Sequence, residues 1–350
     1  MTVLVTGAAG FIGSNVTKAL LAEFPEADVV GIDCLDDYYN PELKMARLRE
    51  LLVNPRFRFH REDIADKGSI DGIFDKYRPE YVLNFAAKVG VRHSVLHPEE
   101  YISTNINGFQ NILEACRCHE VNHLVYASSS SVYGANSKVP YSVEDKADSP
   151  ISLYAVTKKS NELMAHAYSK LYDIPTTGLR FFTVYGPAGR PDMAYFKFTD
   201  RLVKGENIQI YNYGNCRRDF TYIDDIVKGV LMVMKRPPLR QVGEDGLPVA
   251  PYALYNIGNS SPENLLDFVR TLQEELVGAG VLPEDYDFEA HMELVPMQPG
   301  DVTETFADVS ALERDFGFRP RTSLRDGLRA FAKWYAAYCH SERSEESFIR

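Results

Sequence analysis

VLVTGAAGFIG, residues 3–13, runs from a short apolar stretch through three glycines toward a helical pattern that extends from about Ile12 to Phe24. VLVTG (3–7) has the near-continuous apolar character of a strand buried on both faces. Gly7, Gly10 and Gly13 follow a G-x-x-G-x-x-G spacing. Missing side chains there let the backbone approach a pyrophosphate, which rests on the free N–H groups of the helix N-terminus. Phe11 and Ile12, in the same turn, are expected beside it. A second strand, DVVGID (28–33), ends on Asp33, twenty residues past Gly13. A carboxylate there accepts hydrogen bonds from both hydroxyls of an adenosine ribose and repels a 2′-phosphate. No arginine follows at once, so the predicted cofactor is NAD rather than NADP.

Working outward, helix-like and strand-like segments alternate. A helix near 41–52 leads to FRFHRED (57–63), a helix near 69–76 to YVLNFAA (81–87), and a helix near 99–117 to HLVYASS (123–129). A helix opened by Tyr154 and the strand TTGLRFF (176–182) complete the series. Apolar strands separated by helices predict an α/β fold, a doubly wound parallel sheet of Rossmann type. Asp63, ending the third strand, reads either as a contact to the adenine edge or as a plain loop acid. Ile64, Ala86 and Ala87, at the ends of the third and fourth strands, are expected to line the cofactor.

After Thr183 the rhythm loosens. YGPAGRPDM (185–193) and RPPLRQVGEDGLPVAP (236–251) read as loops, LYNIGN (254–259) as a strand and 263–277 as a helix. The expected organisation is a NAD-binding domain over 1–183 and 222–260, with a smaller, interleaved α/β substrate domain over 184–221 and 261–338. Residues 339–350, charged and without periodicity, are expected to form a disordered tail.

Composition narrows the function. The 350 residues carry a formal charge of −11, with no basic stripe for a nucleic acid to occupy. Five cysteines without CxxC spacing indicate neither a disulfide framework nor a zinc site, and the eight histidines show no metal-ligand spacing, so no metal is expected. The first strand begins at residue 2 and no apolar run is long enough to span a bilayer. A soluble, cytoplasmic protein is the expectation.

In ISLYAVTKKSNELMAHAY (151–168), Tyr154 and Lys158 share one helical face. A free phenol titrates near pH ~10. A lysine cation beside it, with the positive nicotinamide of NAD, favours the phenolate and creates a general base. The serine run SSSSVYG (128–134) supplies a hydroxyl to share the moving proton; Ser129 is chosen by position, with Ser130 and Ser131 as substrate contacts.

GAAGFIG, the serine run before VYG, and YAVTK together resemble the extended short-chain dehydrogenase/reductase family of nucleotide-sugar enzymes. DDYYNPELK (36–44), AAKVGVRHS (86–94), RFFTVYGPAGRPDM (180–193), RRDFTYIDDIV (217–227) and MQPGDV (297–302) resemble one branch, the UDP-glucuronate 4-epimerases. The resemblance covers residues 1 to about 338. It implies that Tyr154 removes the proton of the sugar 4-hydroxyl while C4 gives hydride to NAD, and that the ketone then turns over and is reduced on its other face. It further implies that Ser130, Ser131 and Thr183 hold the uronate carboxylate, with Arg190 and Arg92 as partners for the substrate's charge. Arg218 resembles the diphosphate-binding arginine, Asp301 the acid that holds the uridine ribose, and Tyr211 is placed against uracil. Ser130 and Ser131 stand where dehydratases of the family carry an Asp-Glu pair. Lys88 reads as a sugar or phosphate contact or as a surface lysine, and Arg217 as a site residue or as a solvated or domain-bracing arginine. Homodimerisation through the helices near 99–117 and 154–172 is a further implication.

Overall fold

Val3, Leu4 and Val5 have no solvent exposure, so the first strand, β1 (Thr2–Thr6), is covered on both faces. The computed structural model describes residues 1–298 and 302–348. After β1 come α1 (Phe11–Glu23), β2 (Asp28–Ile32), α2 (Pro41–Leu52), β3 (Phe57–His60), α3 (Lys67–Tyr77) and β4 (Tyr81–Asn84). Two short helices, α4 (His93–Leu96) and α5 (Pro98–Tyr101), and a π-helical segment (Ile102–Gly108) lead into α6 (Phe109–Cys118). Then follow β5 (His123–Ser129), α7 (Leu153–Tyr172), β6 (Thr176–Phe181), β7 (Thr183–Tyr185), α8 (Ala194–Val203), β8 (Ile208–Ile210), β9 (Arg217–Tyr222) and α9 (Ile223–Met234). The hairpin β10 (Gln241–Val242) and β11 (Pro248–Val249) precedes β12 (Tyr252–Ile257), β13 (Pro262–Asn264), α10 (Leu265–Gly278), β14 (Met292–Leu294), α11 (Ser310–Phe316) and α12 (Leu324–Phe348).

The main sheet has seven strands in the order β12-β6-β5-β4-β1-β2-β3, and every pairing is parallel. The winding reverses between β1 and β4, which opens a crevice past their C-terminal ends, where open α/β sheets bind ligands. One face of the sheet packs with α1 and α9 through Val16, Leu20, Ile226 and Val230. The other packs with α3, α6 and α7 through Ile70, Phe74, Phe109, Ile112 and Ala165. Smaller sheets, β13-β9-β7 and β14-β8, with α8, α10 and α12 make the second α/β unit, cored by Phe196, Phe220, Phe268 and Phe331.

Helix starts differ in how they are capped. Asn40, Asp66, Ser152 and Asn264 cap α2, α3, α7 and α10 with side-chain acceptors. No side chain caps α1, which opens on Gly10, nor α6, α8, α9 or α11; the start of α1 lines the crevice. Its first N–H groups stay available to an anion.

Two expectations differ from the structure. The single helix near 99–117 is interrupted by the π-helical segment, whose wider turn carries Asn105 toward the backbone of Lys88 and the hydroxyl of Thr157. The segment after residue 338, expected as a disordered tail, continues α12 as helix to Phe348. Glu and Arg prolong an established helix without a new nucleation cost, and neither Gly nor Pro stops it. Among the described residues no helix is long and apolar enough to cross a membrane.

Candidate active site

A cavity of about 750 Å³ occupies the crevice. Gly7, Gly10, Phe11, Ile12, Gly13, Asp33, Asp63, Ile64, Ala86 and Ala87 line one end; Arg92, Ser129, Ser130, Ser131, Tyr154, Lys158, Thr183, Arg190 and Arg218 line the rest. Asp301 lies outside the described residues.

The cofactor end fits a dinucleotide on backbone grounds. Gly7 adopts φ +69°, and a Cβ on it would lie 2.8 Å from the Ala86 nitrogen. The ends of β1 and β4 therefore close on each other only with glycine there. A Cβ on Gly13 would meet the Gly7 carbonyl oxygen at 2.1 Å, so helix and loop touch at that point. Asp33 is buried, and its carboxylate accepts from Ala9 N–H at 3.1 Å and Leu35 N–H at 2.8 Å. Burial raises its pKa, against these two bonds. Each carboxylate oxygen keeps lone-pair capacity for a ribose diol. Asp63 accepts from Ala65 N–H at 2.9 Å within its own turn and lines the cavity.

Tyr154 stands in the first turn of α7, positioned by the Ser152 cap and by its own N–H donating to Ser94 Oγ at 3.2 Å. Ser129 ends β5; its Oγ accepts from Ser131 N–H at 3.2 Å and Ser131 Oγ–H at 2.9 Å, which folds the serine run into one turn. Lys158, one turn beyond Tyr154, is buried, and its ammonium donates to the Ala127 carbonyl at 2.9 Å.

Several groups act on the phenol. Burial raises the Tyr154 phenol, while the Ser129 hydroxyl and the charge of Arg190 pull it down. The Lys158 ammonium lies 6.0 Å from the phenol ring centre. Desolvation pushes Lys158 itself down to about 8. Arg190, brought from a loop far along the chain, thus adds its charge to the surroundings of the base.

Arg190 is itself engaged: Nε and Nη2 donate to Asp192, which also accepts from the Tyr38 hydroxyl at 3.2 Å. Lys88 is no surface lysine; it lines the cavity and pairs with Asp36 at 3.1 Å and Glu100 at 2.9 Å. Arg217 is exposed and donates to the Pro262 carbonyl at 3.0 Å, a bond between the neighbouring strands β9 and β13. Arg218 donates to the Val302 carbonyl at 2.6 Å and the Thr303 carbonyl at 3.1 Å, with its side chain at the cavity wall. Tyr211 is displaced from the wall: its ring carries the Arg92 guanidinium at 5.3 Å, and its hydroxyl donates to Gln209 at 3.1 Å. Sequence reading passed over Lys44, Asp192 and Lys197, which also line the cavity. The only local signal for them was the unexplained charge in DDYYNPELK and GRPDMAYFK.

Residues 3–258 match the NAD dependent epimerase/dehydratase family. An uncharacterised 37.6 kDa protein of Escherichia coli O111:H- is 50% identical over 341 residues, which cover 96% of this chain and 98% of that protein. UDP-glucuronate 4-epimerase 4 of Arabidopsis thaliana is 44% identical over 352 residues, 98% of this chain and 77% of that protein. Among solved structures, a UDP-glucuronic acid 4-epimerase from Bacillus cereus, in complex with UDP-glucuronic acid and NAD, superposes with a TM-score of 0.83 at 33% identity, covering 97% of this chain and 100% of that one. The uncapped helix facing the three glycines has its explanation in this kinship: NAD is the cofactor, and the chain belongs to the NAD dependent epimerase/dehydratase family, enzymes of nucleotide-sugar chemistry.

Proposed function

We propose that this protein interconverts UDP-glucuronate and UDP-galacturonate through a transient 4-ketone. One observation carries the reading: the hydroxyls of Ser129, Ser130, Ser131 and Thr183 and the Arg190 side chain line the same space as Tyr154. No carboxylate among the described residues is free beside the phenol. Asp192 is taken by Arg190, and Asp33, Asp36, Glu62 and Asp63 lie toward the cofactor end.

NAD, when bound, accepts hydride from sugar C4, returns it to the opposite face, and adds positive charge beside the base. Tyr154 takes the 4-hydroxyl proton, with Ser129 sharing it and Arg190 favouring the phenolate. Lys158, anchored on the Ala127 carbonyl, has donors left for ribose hydroxyls. Arg218 and Lys197 suit the diphosphate, which must stay fixed while the sugar turns. A 4-keto uronate is a β-keto acid prone to losing CO₂. Hydrogen bonds from Ser130, Ser131 and Thr183 keep its carboxylate solvated as an anion and so oppose that loss. Elimination of water would need a general acid and base where two serines stand, and a serine hydroxyl is a poor proton donor near neutral pH.

The test is incubation of the purified protein with UDP-glucuronate and no added NAD, with the sugar products separated. UDP-galacturonate is expected, with a C4 deuterium label retained. Conversion of UDP-glucose alone, release of CO₂, or washout of the label into solvent would each overturn the reading. The exposed apolar residues Val156, Leu163 and Leu171 form a stripe along α7, and with Ile102 they support a homodimer built on α7 and the helices before it.

A further inference from the structure

Arg47, on α2, belongs to none of the motifs above and is 5% exposed. A guanidinium carries five N–H donors. Five hydrogen bonds leave this one: Nε to the Ala188 carbonyl at 3.0 Å, Nη1 to the Ala9 carbonyl at 3.0 Å and the Tyr39 hydroxyl at 2.7 Å, and Nη2 to the Ala188 carbonyl at 2.7 Å and the Gly189 carbonyl at 2.9 Å. No partner is a carboxylate. Backbone oxygens have replaced a counterion, so the side chain is fixed by its fork geometry rather than by charge pairing.

The partners fall in two places. Ala9 belongs to the glycine loop, and its own N–H is held by Asp33. Ala188 and Gly189 form the turn that immediately precedes Arg190. Ala188 has φ +53°, in the left-handed region that a side chain disfavours, and Gly186 has φ +146°. Such a turn keeps one conformation only when its surroundings impose it. Two bonds to the Ala188 carbonyl do so from one side. From the other the turn meets α8, where a Cβ on Gly189 would lie 1.7 Å from the Tyr195 hydroxyl. Beyond the turn, Asp192 holds the Arg190 guanidinium, and Tyr38, nine residues before Arg47, holds Asp192.

The geometry points to Arg47 as a positioning residue for Arg190: it holds the strained turn that presents the sugar-side guanidinium and ties that turn to the cofactor loop at Ala9. This deepens the reading of the site as one for a UDP-uronate and rests on it.

The test is a double-mutant cycle between Arg47→Lys and Arg190→Ala on the NAD-loaded protein, reading kcat, KM, and calorimetric Kd for UDP-glucuronate and for UDP. Lysine keeps the charge and loses the fork. Arg47→Lys should raise KM and Kd for UDP-glucuronate about tenfold or more, as misplacement of a substrate-holding group does. It should leave Kd for UDP within about twofold, and add almost nothing once Arg190 is already alanine. Additive losses, or parallel weakening of UDP and UDP-glucuronate, would overturn the assignment. Tyr39→Phe removes one of the five acceptors and decides the same cycle should the lysine variant not fold; its smaller loss should likewise vanish with Arg190→Ala. Bound NAD, released and quantified by absorbance, should fall in Arg47→Lys and not in Arg190→Ala; equal retention would sever the link to Ala9. If the unaltered protein turned over only UDP-glucose, the substrate reading would fall, and the cycle run on UDP-glucose would still decide the role of Arg47.

Discussion

Arg180 on β6 grips Glu162 on α7 through two parallel hydrogen bonds, Nε to Oε1 at 2.7 Å and Nη2 to Oε2 at 2.8 Å, with both side chains sealed from solvent. Ser128 Oγ donates to the same carboxylate at 2.7 Å, and the Tyr133 ring lies 4.8 Å from the guanidinium. Glu162 is two helical turns past Tyr154, so this pair locks the helix bearing the base to β6, and the Ser128 bond ties it to β5, the strand that ends in Ser129. Removing one partner leaves a buried charge without its counterion. Glu162→Gln should therefore cost about 3–5 kcal/mol, read as a lower urea midpoint at unchanged slope. Replacing both residues together, Glu162→Leu with Arg180→Met, should cost less than Glu162→Gln alone. A Glu162→Gln midpoint equal to that of the unaltered protein would show that the pair does not hold the helix.

The second and third glycines of the cofactor loop should fail differently. A Cβ on Gly13 would sit 2.1 Å from a backbone oxygen that cannot step aside, whereas one on Gly10 would sit 3.0 Å from the same oxygen. Gly13→Ala should lose bound NAD and lower stability by about 1–3 kcal/mol, the usual cost of overpacking. Gly10→Ala should fold with a much smaller loss while retaining less NAD. Thermal melts with a cofactor assay check the order; a larger stability loss at Gly10 would contradict it.

The stripe of Val156, Leu163 and Leu171 makes the proposed dimer testable. Leu163 is 62% exposed in the single chain, so Leu163→Lys should leave its fold unchanged. In solution it should shift sedimentation from dimer toward monomer. A monomeric unaltered protein, or a dimer indifferent to Leu163→Lys, would remove this face from the interface.

How legible these features are depends on their range along the chain. The apolar run of β1, the uncapped glycine turn, Asp33 and the Tyr154–Lys158 spacing are local patterns with a physical meaning at fixed offsets; the structure buries the first in the sheet and brings the other three to one cavity. Arg47 reaches a carbonyl 141 residues away, and Tyr38 an acid 154 residues away. No periodicity encodes such pairings, because topology rather than spacing creates them. Asp219 shows the same limit. It sits inside RRDF, where the neighbouring arginine drew the reading, yet it is the buried carboxylate that accepts from Asn259, Ser260 and Ala307 N–H at 2.8, 3.0 and 3.0 Å and joins β9 to two distant loops. Arg190, whose charge lowers the Tyr154 phenol from a distant loop, is hidden by the same limit.

Lys158 gives a pH dependence with opposite signs for activity and stability. Desolvation pushes its ammonium down to about 8 from 10.5. The folded protein accordingly binds fewer protons than the unfolded chain between about pH 8 and 10.5, and stability from this group rises across that window. Below pH 8 the penalty for burying the charge is present in full. Turnover needs the ammonium to hold the cofactor ribose, so kcat/KM should fall above about pH 8 while the urea midpoint gains. Lys158→Met should abolish most turnover and flatten the part of the stability profile that belongs to this residue. An alkaline gain in stability that survived in Lys158→Met would place its source elsewhere, and a kcat/KM of the unaltered protein that stayed level through pH 10 would show that the neutral amine suffices.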